Sequence, residues 1–179
     1  MSNEVHSQGI HHAAYRCIDA KETVEFYRDL LGMEFTVAFA ENEVPSTGEP
    51  DPYMHVFLDA GGGNVIAFFE LPNSPQMGRD ENTPEWVQHM AFKLDSLADQ
   101  KLMRARLEAA GVDVLGPVNH GIFDSIYFFD PNGHRLEFAV DKGTPEQLEG
   151  LKVIAEEMLE EWSTTKKAPR QAAWLHDLT

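Results

Sequence analysis

Two histidines and one glutamate carry the strongest chemical signal in this chain. His12 and His89 each sit near the middle of a short β-compatible run, Ile10–Cys17 and Val87–Leu94, and a capped helix follows each run. Glu137 lies between Leu136 and Phe138, inside a third apolar run. A carboxylate buried among apolar neighbours costs several kcal/mol unless it is paired or bound to a cation. Two imidazoles and one carboxylate on neighbouring strands would suit a divalent metal with open coordination positions. A fourth candidate, His120 in the loop Gly116–Gly121, has an ordinary pKa near 6.5 and suits a general acid/base or proton donor. It reads equally well as an exposed loop histidine. Of the other histidines, His6 and His176 fall near the termini and His55 alternates with apolar residues in a strand. These read as surface or core residues.

The elements that must position these groups form a module read twice. Asp19 with Glu22 predicts a capping box, Val24, Tyr27, Leu30 and Leu31 fall at helical spacing, and Gly32 stops the helix. Strand-like runs follow at Met33–Ala40, Tyr53–Ala60 and Asn64–Glu70, the last two joined by Gly61-Gly62-Gly63. After a Pro-rich stretch, Leu71–Glu85, the order returns. Asp95 caps a helix with Leu102, Ala105 and Leu107 that ends at Gly111. Strands are then expected at Val112–Val118, Ser125–Phe129 and His134–Val140, with Asp130-Pro131-Asn132-Gly133 as the last turn. The helix stops lie 79 positions apart, and His12 and His89 lie 77 apart. The reading is α+β: two βαβββ modules forming a cupped, barrel-like mixed sheet, plus a C-terminal helix. Module one covers 9–71 and module two 86–141, within a domain 1–143, and 144–179 forms a helix and tail. Thr144-Pro145-Glu146-Gln147 is a capping box with proline at N1. Leu148, Leu151, Ile154, Met158 and Trp162 make an apolar stripe expected to pack on the barrel or on a partner subunit. The basic patch Lys166, Lys167 and Arg170 before Trp174 and Leu175 reads as a solvated tail or as a segment closing over a site.

Composition narrows the function classes. Lys plus Arg is 14 against 30 Asp plus Glu, a formal charge of −16, which repels phosphate backbones and anionic lipid. Nucleic-acid and membrane partners are therefore not expected, and no apolar run approaches the roughly 18 residues of a spanning helix. The single cysteine, Cys17, cannot form an internal disulfide. With no signal-peptide pattern at Met1-Ser2-Asn3-Glu4, a cytoplasmic location is expected.

At these residues the chain resembles the vicinal oxygen chelate superfamily, which includes glyoxalase I, fosfomycin- and bleomycin-resistance proteins and extradiol ring-cleaving dioxygenases. The resemblance runs through His12–Asp19, Glu25–Gly32, His89–Phe92 and Ser125–Phe138. It implies a metal site of His12, His89 and Glu137. The seven-residue step from His12 to Asp19 matches the family, whereas His11 would point to the opposite face. Glyoxalase I has a fourth ligand, a Glu, at the place of Ala67 here. Glu70 would need a bulge to replace it. Without it the set is a 2-His-1-carboxylate triad, the arrangement of non-haem Fe(II) oxygenases. Tyr127, ten residues before Glu137, matches an active-site tyrosine of extradiol dioxygenases, although fosfomycin-resistance proteins share that stretch. The expectation is therefore an Fe(II) extradiol-type dioxygenase acting on a catechol-like aromatic diol, with His120 moving protons and Tyr127 orienting the substrate. Mn(II), Zn(II) or Ni(II) are alternative metals. Alternative functions are a lyase, isomerase or epoxide-opening enzyme, or a drug-sequestering binding protein. A homodimer is implied, with modules pairing within or between chains. Arg16, Lys93 and Arg135 share faces with His12, His89 and Glu137 and either ring a substrate or lie in solvent.

Overall fold

The computed structural model describes residues 6, 7 and 9–168. The tail residues Arg170, Trp174, Leu175 and His176 lie outside the described residues. The order of elements is β1 (Ala13–Cys17), α1 (Ala20–Glu25) continued by a π turn (Phe26–Leu30), β2 (Glu34–Glu41), β3 (Tyr53–Asp59) and β4 (Val65–Glu70). Module two follows as β5 (Met90–Lys93), α2 (Leu97–Ala109), β6 (Leu115–Asn119), β7 (Phe123–Phe129) and β8 (Arg135–Asp141), and then comes α3 (Pro145–Thr165). The two sheets have the same order, β1-β4-β3-β2 and β5-β8-β7-β6, each with one parallel pair. The α+β reading and the repeated βαβββ unit are both present.

Two compact units emerge. Unit 1 holds the described residues up to Gln88 together with Phe129–Arg135, and unit 2 holds His89–Phe128 and everything described from Leu136 on. The tip of the β7–β8 hairpin therefore belongs to unit 1, although its strands belong largely to unit 2.

In unit 1, Asp19 caps α1 by accepting from Glu22 N–H at 2.8 Å. The extra residue of the π turn rotates the following chain, so Leu31 is buried and Leu30 only half-buried. Gly32 then takes φ +82°, a left-handed value that suits glycine and ends the helix. Tyr27, Phe68 and Leu58 are fully buried under this helix, each worth about 1.5–3 kcal/mol of transfer free energy. Tyr27 donates its hydroxyl to the buried Asp130 at 3.0 Å, and Asn132 accepts from Ile18 N–H at 2.8 Å. These two bonds seat the Asp-Pro-Asn-Gly turn on α1. Cys17 is buried beside Thr23, and burial pushes its thiol up to about 11, so it stays protonated and unreactive at neutral pH.

In unit 2 the helix differs from the sequence expectation. Ser96, not Asp95, is the N-cap, accepting from Asp99 N–H at 3.1 Å. Leu102 is 70% exposed, and the inward stripe is Gln100, Met103, Arg104 and Leu107. Polar side chains take core positions because they close carbonyls. Gln100 donates to Asp124 O and Phe138 O, both at 2.9 Å, and Arg104 donates to Gly116 O. Ile126, Phe128, Leu136, Phe138 and Val140 fill the core on the helix side of this sheet. The alternate residues, Ser125, Tyr127 and Glu137, therefore project from the other face. At α3 the capping box of Thr144 and Gln147 forms in full, with Pro145 in the first turn. No α3 residue is fully buried, and Leu148 and Trp162 of the apolar stripe remain about half exposed. Among the described residues no helix is long and apolar enough to cross a membrane.

Candidate metal centre

The non-helical face of unit 2 assembles four of the five residues singled out in the sequence. Glu137 is 3% exposed, and each carboxylate oxygen has a partner. His89 Nε2 stands 2.9 Å from one oxygen, and the Ser125 hydroxyl donates to the other. The His89 ring meets Tyr127 edge-on at 6.0 Å between centroids. The Tyr127 hydroxyl and His120 Nε2 lie 2.8 Å apart. His120 follows β6 directly, and its backbone N–H is tied to Phe123 O at 2.9 Å, which turns the ring back over β7. The result is a continuous chain of polar groups: Ser125, Glu137, His89, then Tyr127 and His120.

Strand register explains the convergence. His89 is not mid-strand, as the sequence suggested, but immediately precedes β5. Ala91 pairs with Glu137 across the parallel ladder, so His89 reaches Glu137 from one pleat earlier. The second imidazole, His12, occupies the same place in unit 1, immediately before β1, where Ala14 pairs with Ala67. Counting inward from the closing bonds Ala60 N–H to Asn64 O and Asp130 N–H to His134 O, Ala67 corresponds to Glu137, Phe57 to Tyr127 and His55 to Ser125. Glu70 is no substitute for the missing carboxylate. It lies in a ladder without a bulge and accepts from Ala20 N–H at 2.7 Å, at the start of α1.

His12 rests against Phe57 at 5.6 Å and His55 at 6.3 Å between ring centroids, and its Nδ1 lies 2.7 Å from that of His11. His55, set aside in the sequence reading, is 5% exposed, stacks on Phe69 at 3.5 Å, and has a buried Nε2 without a hydrogen-bond partner among the described residues. Burial, and then the neighbouring His12, hold its imidazole below the ordinary pKa. The signal that could have found it is that it shares β3's alternation with Phe57, the counterpart of Tyr127. Of the three cations, Lys93 pairs with Asp141 at 2.6 Å in solvent, and Arg16 donates to Pro75 O at 2.5 Å. Arg135 is half-buried in unit 1.

The donor set fits a divalent cation in part. Two ligands bound cis at about 2.1 Å stand roughly 3 Å apart, which matches the His89–Glu137 separation of 2.9 Å. Ser125 leaves the second carboxylate oxygen oriented, as outer partners of metal ligands do. Among the described residues, no group of three His, Cys, Asp or Glu side chains stands ready to hold a metal, and His12 enters the set only through the family resemblance.

Comparison with known proteins places the fold in a family. The model of the Glyoxalase/Bleomycin resistance protein/Dioxygenase superfamily matches residues 9–138. Biphenyl-2,3-diol 1,2-dioxygenase 3 of Rhodococcus globerulus is 36% identical over 85 residues, 46% of this chain and 43% of that protein. The chain thus matches less than half the length of that relative. Metallothiol transferase FosB of Staphylococcus epidermidis is 31% identical over 132 residues, 73% of this chain and 81% of that one. A glyoxylase/bleomycin resistance protein/dioxygenase domain from Frankia sp. EAN1pec shares the fold, with a TM-score of 0.61 and 20% identity over 76% of this chain and all of that one. With the family model covering both modules, the chain belongs to the Glyoxalase/Bleomycin resistance protein/Dioxygenase superfamily.

Proposed function

We propose that the protein is an Fe(II)-dependent extradiol-type dioxygenase that opens a catechol-like aromatic ring beside its two hydroxyls. The observation that carries this reading is the buried His89–Glu137 pair with the Tyr127–His120 pair alongside it, and alanine where a fourth ligand would stand. His89, Glu137 and His12 would hold the cation. When bound, it supplies a Lewis acid to which two adjacent substrate oxygens attach. The remaining work belongs to the chain's own side chains. Ser125 keeps Glu137 from rotating, since its hydroxyl occupies the oxygen that His89 leaves. Tyr127 offers its hydroxyl to a substrate oxygen, which selects the orientation of the diol. His120 Nε2, 2.8 Å from that hydroxyl, takes a proton released from the diol and returns it as the ring opens. The reading includes a cytoplasmic homodimer, supported by the family resemblance and the single buried thiol.

A second reading is favoured by coverage. Similarity to FosB spans 73% of the chain, against 46% for the dioxygenase. In that case the same residues would hold Mn(II) or a similar ion and serve an oxygen-independent opening or group transfer. Oxygen uptake separates the two. Protein loaded anaerobically with Fe(II) and offered a panel of catechols should consume oxygen and develop yellow ring-fission absorbance, both absent in Glu137→Gln. No uptake with iron shown to be bound throughout would discard the dioxygenase reading in favour of the Mn(II) one.

A further inference from the structure

We infer that Gly143, just past β8, is a positioning residue for His120 because it clamps the tip of the β6–β7 hairpin. His120 is exposed, and its ring meets Phe123 at 4.8 Å and Tyr127 at 6.2 Å between centroids. The bond that sets its direction joins Nε2 and the Tyr127 hydroxyl, 2.8 Å apart. Such a bond contributes about 0.5–1.5 kcal/mol net, too little to order an exposed ring unless the backbone beneath it is already fixed. The tip of the hairpin is Gly121-Ile122, closed by the His120 N–H bonded to Phe123 O at 2.9 Å. Within the hairpin, Asn119 Oδ1 accepts from Gly121 N–H at 2.7 Å. From outside it, Lys142 N–H and Gly143 N–H both donate to Ile122 O, at 2.7 and 2.8 Å. Beside the tip, Lys142 Nζ pairs with Asp124 Oδ1 at 3.0 Å. The segment that follows β8 thus grips the turn that carries His120.

Glycine is what allows this grip. A Cβ at position 143 would stand 3.0 Å from Ile122 Cβ, 3.1 Å from Ile122 Cγ2 and 3.3 Å from Leu148 Cδ2. The Ile122 Cβ cannot swing away by a change of rotamer, because it is bonded to the backbone whose carbonyl takes both bonds. A side chain at 143 therefore moves the tip itself, and His120 lies two residues back along that tip. On the other side Leu148 is held by α3, its N–H bonded to Thr144 O at 3.0 Å within the capped first turn. The clamp runs from the cap of α3 through Gly143 to Ile122, beyond residue 138 where the family match ends. It rests on the proton role proposed for His120 and deepens it, since the segment after β8 decides whether that imidazole meets the Tyr127 hydroxyl.

The imidazole nitrogen resonances of His120 in metal-free, nitrogen-labelled full-length protein test the clamp without iron or oxygen. Tyr127→Phe supplies the reference for a His120 ring that has lost its phenol partner. Gly143→Val should shift the His120 resonances to the Tyr127→Phe positions, and Gly143→Ala should shift them part of the way. Tyr27→Phe, which loosens unit 1 instead, should leave them at wild-type values, so a general loss of stability does not mimic the effect. A folded Gly143→Val protein with wild-type His120 resonances overturns the inference. If neither Gly143 variant folds, amide exchange in the wild type decides. The Lys142, Gly143 and His120 N–H groups should then open together with one free energy, and separate openings overturn the clamp. Unchanged His120 resonances leave the oxygen-uptake result standing, and failure of oxygen uptake leaves the clamp standing.

Discussion

The two units share one topology and differ in the side chains it presents. In each, a histidine precedes the first strand, that strand pairs in parallel with the last, and a hairpin brings the third strand alongside. At the corresponding places unit 2 holds Ser125, Tyr127 and Glu137, and unit 1 holds His55, Phe57 and Ala67. Replacing Tyr127 and Glu137 by Phe57 and Ala67 turns a polar face into an aromatic one without changing the ladder. The pleat decides only that these positions share a face, and the side chains decide what the face does. The hairpin tips differ as well. Three glycines at left-handed φ turn the first, whereas the second is tied down by Tyr27 and Asn132.

The largest expected effect breaks the comparison at its acidic member. Glu137→Gln should abolish retention of divalent metal after gel filtration, measured by elemental analysis, and equal metal content in mutant and wild type would refute the assignment. The same measurement on His12→Ala and His11→Ala should show loss in the first and retention in the second. The reverse would move the unit 1 register by one residue. Next in size is an exchange between the units. Tyr127→Phe should lower turnover by roughly one to two powers of ten while metal content holds, and Phe57→Tyr, which installs the hydroxyl on unit 1, should leave turnover unchanged. A loss in neither variant would reduce Tyr127 to a structural role. Smallest is the hairpin clamp. Tyr27→Phe removes one of two donors to Asp130 Oδ2, and Asn132 Nδ2 remains at 3.0 Å. Urea denaturation should therefore show a loss of about 1–2 kcal/mol.

The repeat, the helix caps at Asp19 and Thr144, the glycine stops and the strand alternation around Glu137 were all legible, because they are local: turn residues, caps and periodicity act over a few positions. One reading failed in part where distant groups intervene. Leu102, Ala105 and Leu107 were expected along α2; Leu107 is fully buried, but Leu102 and Ala105 are exposed, and Gln100 and Arg104 turn inward to close carbonyls of β6, β7 and β8, which no hydrophobic pattern records. His55 was read as a surface or core residue, and it is a core one, 5% exposed. Its ring stacks on Phe69, which is fourteen positions away in sequence and adjacent only in the ladder.

By itself the sequence determined the family, the double module and the residue types available to hold a cation, since each is written in short-range spacing. The tertiary structure alone decided three further things. Glu137 is met by His89 and Ser125, Glu70 is spent on the start of α1, and His55 is buried flat against Phe69. The reason is physical. Hydrogen-bond satisfaction is a property of partners brought together by strand register, and register joins residues that the chain keeps far apart.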